Sequence, residues 1–210
     1  KLVIILYQLL EKPNLSSMER RNFTQLVGIS GLGLLSSRTL FAMKTNVKKY
    51  SFNLAYAPHL GMFSHHAGDD PIDQLNFMAD QGFTAFEDNG MRNREVALQE
   101  KMADTMVKRG LRMGVFVAHE IYWQKAQLAS GEKGLREEFL NYIKKSIPVA
   151  KRVNAKWITV VPGHIDLRQN MSYQTANVVE SLKQASALLE PHGIVMVLEP
   201  LNFRDHPGLF

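Results

Sequence analysis

From residue 49 onward, short apolar runs alternate with longer stretches of helical period. Residues 51–57, 84–86, 112–118, 157–161 and 194–198 predict five strands. Four helical stretches separate them. The first opens at Asp70-Pro71, a capping residue followed by proline at the first helical position, and closes at Gly82. The second covers residues 94–109 and stops at Gly110. The third covers 135–153, where Pro148 is expected to kink or divide it. The fourth covers 173–190 and carries Val178, Leu182, Ala185 and Leu189 on one face, the stripe that packing on a sheet requires.

Strict alternation of this kind predicts an α/β fold with a parallel sheet and helices outside, because crossovers between parallel strands are right-handed. Two architectures fit: an open doubly wound sheet, or a partial (β/α)8 TIM barrel with about five of its eight strands present. Polar residues follow every strand: His59, Glu87, His119 with Glu120, His164, and Glu199. A barrel gathers all of them at one mouth, and this favours the barrel.

The last run is the most informative. Residues 194–198 are apolar and lead straight into Glu199, and Pro200 then removes a backbone donor and ends the ladder. Such a run predicts a strand buried on both faces. A carboxylate at its end is costly to desolvate unless a cation or hydrogen bonds hold it.

Composition narrows the chemistry. In 210 residues, 45% hydrophobic and 21% charged, there is enough chain for one domain with a sizeable core. The absence of cysteine excludes disulfides and thiolate-bound zinc, leaving His, Asp and Glu as metal ligands. The formal charge of +5 includes Arg20, Arg21, Arg38, Lys44, Lys48 and Lys49 in the first fifty residues. No basic stripe interleaved with aromatics appears, so no nucleic-acid partner is expected.

Those first fifty residues have a different character. The apolar segment 1–10 is too short to span a bilayer. Met18 reads as a natural start, which makes residues 1–17 an upstream or non-native extension. Residues 18–42 read as a twin-arginine signal peptide: Arg20-Arg21-x-Phe23, an apolar segment at 26–35, then Ser36 and Ser37, with cleavage after Ala42. This predicts export to the periplasm, with no stable membrane anchor once the signal is removed; a cytoplasmic protein is the alternative. Gly28-x-x-Gly31-x-Gly33 follows no strand and is not read as a nucleotide loop. Residues 43–210 are the barrel segment. Phe210 falls just after a strand-end motif, so a continuation beyond it is expected. Five strands alone would expose two unpaired edges and be prone to aggregate.

The segment Glu199-Pro200-Leu201-Asn202-Phe203-Arg204-Asp205-His206-Pro207-Gly208 resembles the E-P-x-N-x-x-D-x-P-G segment of hydroxypyruvate isomerases. These belong to the xylose-isomerase-like TIM-barrel superfamily of sugar isomerases and epimerases. Ser51-Phe52-Asn53-Leu54 also resembles the family's first strand, and the likeness extends over residues 50–210.

The resemblance implies interconversion of hydroxypyruvate and tartronate semialdehyde, or of a related small sugar, by proton transfer through an enediolate. It implies a divalent cation (magnesium, manganese or cobalt), with Glu199 as both metal ligand and acid/base. It also places Glu87 and His119 at the substrate; His164, after Pro162-Gly163, is expected to line the mouth, and Asn202 of the motif to hold the following loop or a ligand. A second glutamate and the other ligands would come from later strands. A homo-oligomer stays open. The rival readings are a sugar epimerase, an abasic-site endonuclease and a non-catalytic exported sugar-binding protein.

Each residue also has a plain structural reading: ion pairing for Glu87 and Glu199, a satisfied core histidine for His119, and turn capping for Asn202. His59 is the weaker candidate, and the adjacent His65-His66 pair reads as surface. Glu120 replaces the family's commoner Asn. Tyr122 and Trp123 either cover the mouth or form an ordinary hydrophobic loop.

Overall fold

The computed structural model describes residues 50–209. The extension, the signal segment and its cleavage site lie outside the described residues.

The helices follow their sequence signals closely. After a short turn of helix, α1 (Ser64–Ala67), comes α2 (Pro71–Gln81). Asp70 caps α2 by accepting from the backbone N–H groups of Ile72 and Asp73. Gly82 ends it in the left-handed conformation, and its missing Cβ makes room for the Tyr50 carbonyl, which a side chain there would strike. α3 (Val96–Arg109) ends at Gly110 in the same way. α4 (Lys133–Arg152) is one continuous helix, so Pro148 does not divide it. The proline removes one backbone donor, and the helix on either side retains its packing through buried Phe139, Ile143, Val149 and Ala150. α5 (Met171–Leu189) starts at Asn170, whose side chain accepts from the Ser172 N–H. Its predicted stripe lies against the core, with Val178, Ala185 and Leu189 buried and Leu182 partly so.

The strands are shorter than expected and all parallel. β1 (Ala85–Phe86) pairs with β2 (Arg112–Met113), and β3 (Trp157–Val160) pairs with β4 (Val195–Leu198). A bridge from Val117 to Thr159 joins the two pairs, with Thr159 donating to the Phe116 carbonyl at 2.8 Å and accepting from Ala118 at 2.9 Å. A further bridge, His59 to Glu87, adds a segment beside β1. Spatial order therefore follows chain order, as in a barrel wall. An open doubly wound sheet would reverse direction at a switch point.

Two expectations about strands need correction. Residues 51–57 form no strand; parallel pairing starts only at Pro58 and His59, where the Glu87 N–H donates to the Pro58 carbonyl and the Leu60 N–H to the Glu87 carbonyl. The preceding segment is held by rings instead, Phe52 stacking on Phe83 and meeting Tyr56 edge-on. The run at 194–198 is not buried on both faces. Among the described residues β4 pairs with β3 alone, which leaves Val195 54% and Leu198 46% exposed.

Between sheet and helices lies a core of Leu75, Met78, Phe86, Met102, Met113, Phe116, Phe139, Ile143, Ile158 and Val160, all within one cluster. Removing one of its large rings, as in Phe139→Ala, would cost about 3–5 kcal/mol by lost burial and the cavity left behind.

One device recurs in three units. The fourth residue of α2, α3 and α5 is a buried glutamine: Gln74, Gln99 and Gln174. Side chains in the first helical turn lean back toward the N-terminus, so each amide reaches the loop before its own helix. Gln74 accepts from the Gly61 N–H and donates to the Gly68 carbonyl. Gln99 donates to the Met91 and Arg94 carbonyls and accepts from Arg152. Gln174 accepts from the Asp166 N–H and donates to the Asp166 and Gln169 carbonyls.

Candidate active site

Because the strands are parallel, their carboxyl ends share one edge of the sheet. Glu199 sits one residue beyond β4, and its N–H donates to the Val160 carbonyl at 3.0 Å, the last rung of that ladder. Its side chain is half-buried. No cation or hydrogen bond holds its carboxylate among the described residues.

Glu87 ends the β1 run and is also half-buried. Burial pushes its carboxyl above the ordinary value, the neighbouring His59 pulls it back, and the charge of Glu199 pushes it up again. That mutual influence brings together Glu87 and Glu199 from separate strands, with His59 beside them. Two carboxylates sharing one edge, with no Lys or Arg paired to either among the described residues, favour binding a positive charge.

The donor chemistry fits one part of a hard divalent-cation site: carboxylate oxygens, partly desolvated. Among the described residues no three His, Asp or Glu side chains converge as a metal-binding group.

The other predicted residues are placed differently. His119 is buried, and both its ring nitrogens are engaged. A carbonyl only accepts, so Nδ1 must donate to the Glu120 carbonyl at 2.8 Å, and Nε2 then accepts from the Val161 N–H at 3.1 Å. Its edge meets Phe139 at 5.2 Å between ring centroids. Burial, assisted by the nearby Arg92 charge, lowers its pKa to about 4, so the ring is neutral at pH 7. This is the geometry of a satisfied core histidine tying the β2 side of the sheet to β3.

His164 also donates Nδ1–H to the next carbonyl, that of Ile165. Its ring lies under Gly208, where a Cβ would stand 2.5 Å from Nε2, and the Ile165 N–H donates to the Gly208 carbonyl at 2.7 Å. An antiparallel bridge from His164 to Leu209 completes this clasp between the loops after β3 and β4. Asn202 uses its amide locally, accepting from the Arg204 N–H at 2.9 Å and donating to Asp205 at 3.0 Å. The motif after Glu199 is thus a turn that carries the chain back across the sheet edge.

Surrounding contacts fix the edge. The buried Asp88 carboxylate accepts from Arg94 at 2.5 and 3.2 Å and from the Gly90 N–H at 3.1 Å, shaping the loop after Glu87. Arg92 pairs with Glu120 at 3.4 Å and lies over the Tyr142 ring. Trp123, from the loop after β2, meets His206 at 5.6 Å between centroids. Tyr122 donates to Glu138 at 2.7 Å. His65 and His66 lie exposed in α1.

Two features were not weighed from sequence: the glutamine clamps, and the pairing of His59 with Glu87. The clamps do leave a sequence signal, since Gln stands four residues after Asp70, Glu95 and Asn170 in turn.

Residues 75–208 match the xylose isomerase-like TIM barrel family. No curated protein sequence is a significant match. Among solved structures, a family 2 AP endonuclease from Brucella melitensis is similar at TM-score 0.60 and 21% identity, covering 73% of this chain and 58% of that one. A 3-keto-D-glucoside 4-epimerase from E. coli is similar at TM-score 0.55 and 17% identity, covering 70% and 56%. A D-psicose 3-epimerase from Clostridium cellulolyticum H10 gives 0.53 and 15%, covering 67% and 50%. The chain thus spans between half and three-fifths of the length of these structures. With a matched segment that covers most of its length, the chain belongs to the xylose isomerase-like TIM barrel family.

Proposed function

We propose that the protein is a metal-dependent isomerase or epimerase of a small hydroxy-carbonyl compound, of the hydroxypyruvate isomerase type. The observation that carries this reading is the half-buried Glu199 carboxylate at a strand end, without a cation partner among the described residues and electrostatically coupled to Glu87. Its motif resembles that of hydroxypyruvate isomerases, and two of the similar structures are sugar epimerases.

In this reading Glu199 serves in part to hold a divalent cation, whose charge stabilises the oxygen on which negative charge develops. Glu199 also removes the proton from the carbon beside the carbonyl and, with a second base, returns one to the neighbouring carbon or the opposite face. Glu87, beside Glu199 at the same edge, can hydrogen-bond a substrate hydroxyl. His119 holds the strand ends in register, and the His164 clasp keeps the loop after Glu199 over the edge. Export by the twin-arginine route belongs to the same proposal.

The test is exchange of the substrate α-hydrogen with solvent deuterium, using the intact protein, hydroxypyruvate and a panel of ketoses. Magnesium, manganese and cobalt are supplied in turn. Exchange that a chelator abolishes, and that Glu199→Gln lowers about 10²- to 10⁴-fold, is the expected result. Full exchange in Glu199→Gln would remove the role given to Glu199. Absence of exchange on every compound, with metal demonstrably bound, would turn the reading toward sugar binding or nuclease activity.

A further inference from the structure

Three histidines stand at strand ends, and all three donate Nδ1–H to the carbonyl of the following residue: His59 to Leu60, His119 to Glu120, His164 to Ile165. In each ring Nε2 is therefore the atom left to bond elsewhere. What that nitrogen meets separates them. The Nε2 of His119 is taken by the Val161 N–H. The Nε2 of His164 lies beneath Gly208. The Nε2 of His59 has no hydrogen bond among the described residues. Its residue is the parallel partner of Glu87, so the two side chains leave adjacent backbones on the same face.

The His59 backbone is also held firmly. Its N–H donates to the Met62 sulfur at 3.3 Å, and its carbonyl accepts from the Met62 N–H at 3.1 Å. The next turn is fixed by Gln74 through the Gly61 N–H at 2.7 Å. A ring with its tautomer set, its backbone locked and one nitrogen open beside a carboxylate is preorganised for a ligand.

We infer that His59 is a substrate-orienting residue whose Nε2 hydrogen-bonds to an oxygen of the sugar or hydroxy-carbonyl compound bound at Glu87 and Glu199. This rests on the function proposed above. No metal role is assigned to His59, since it belongs to no converging ligand group among the described residues.

Two substitutions separate the open nitrogen from the structural one. In His59→Asn the amide can still donate to the Leu60 carbonyl, but nothing reaches the Nε2 position. In His59→Gln the longer amide places a hydrogen-bonding group near Nε2 and gives up the local bond. The intact protein is assayed by deuterium exchange. The expected result is a drop in kcat/KM of about 10- to 100-fold for His59→Asn at unchanged melting temperature, with substantial recovery in His59→Gln. Activity of His59→Asn within about twofold of the original, or a loss that tracks a lower melting temperature, would overturn the inference.

A second readout does not need turnover. In nitrogen-15 spectra of labelled histidine, the His59 Nε2 signal should move when a ketose or hydroxypyruvate is added, while that of His119 stays fixed. A protein that exchanges no hydrogen yet shows this shift would refute the isomerase reading and support the contact. An immobile His59 signal across the panel would overturn the contact, even if the protein proved an active isomerase.

Discussion

Lowering the pH from 7 to 4.5 should destabilise this protein through one residue, His119. Folded, its ring is held neutral between the Glu120 carbonyl and the Val161 N–H, with a pKa lowered to about 4. Unfolded, it takes up a proton near the ordinary 6.5. Between those values the unfolded chain binds more protons, so its stabilising contribution is intact above 6.5 and is lost as pH falls toward 4. At about 1.4 kcal/mol per pH unit, the loss is about 2.5 kcal/mol by pH 4.5 and about 3.5 kcal/mol in full. Near-complete burial of the ring means little of this is screened by water. The assay is urea denaturation across the range, for the original protein and His119→Gln. Carboxylates titrate in both, so the difference between the two curves isolates His119. At pH 7 the variant should be less stable by about 1–2 kcal/mol, because its amide fits the two partners less well. By pH 4.5 that gap should close or reverse. Parallel curves from pH 7 to 4.5, or a His119 proton resonance titrating near 6.5 in the folded protein, would refute the reasoning.

Two further outcomes follow from neighbouring contacts. Arg94→Met strands the buried Asp88 carboxylate; because Arg94 is itself about a quarter exposed, the expected loss is about 2 kcal/mol, below the usual range for a fully buried pair, read from the denaturation midpoint. An unchanged midpoint would mean that water or another donor replaces the guanidinium. Gly208→Ala forces a side chain onto φ +86° and into the His164 ring, for about 1–2 kcal/mol of backbone strain alone. Its marker is faster hydrogen exchange at the Ile165 amide, which is bonded to the Gly208 carbonyl; unaltered protection there would show that the clasp survives.

The helices were legible because their ends carry local chemistry. Asp70 with Pro71, Gly82, Gly110 and the α5 stripe act within a turn or two of themselves, and the structure places them as expected. The strands were less legible, since burial depends on what lies alongside. The apolar 194–198 run reads as a central strand, yet β4 has one described neighbour. The ring contacts that replace a ladder at 51–57 pair Phe52 with Phe83, a partner no periodicity announces. At the sheet edge, the position of Glu199 followed from the apolar run that ends in it. The division of labour among the histidines did not. His59, His119 and His164 look alike in sequence, and only the atom facing each Nε2 distinguishes them. Pro148 shows the converse: a strong local breaker is carried through because the helix around it is anchored in the core.

The glutamines at the fourth position of α2, α3 and α5 bear on how the chain acquires its shape. Most of their hydrogen bonds span between five and thirteen residues, so the contacts are local. Closing such short loops costs little chain entropy, and contacts of this range form early. Each loop at the sheet edge can therefore reach its final form together with its own helix, before distant strands meet. Chain emerging during synthesis would then carry finished loops into assembly of the sheet. One loop could change in sequence or length without disturbing how its neighbours are set.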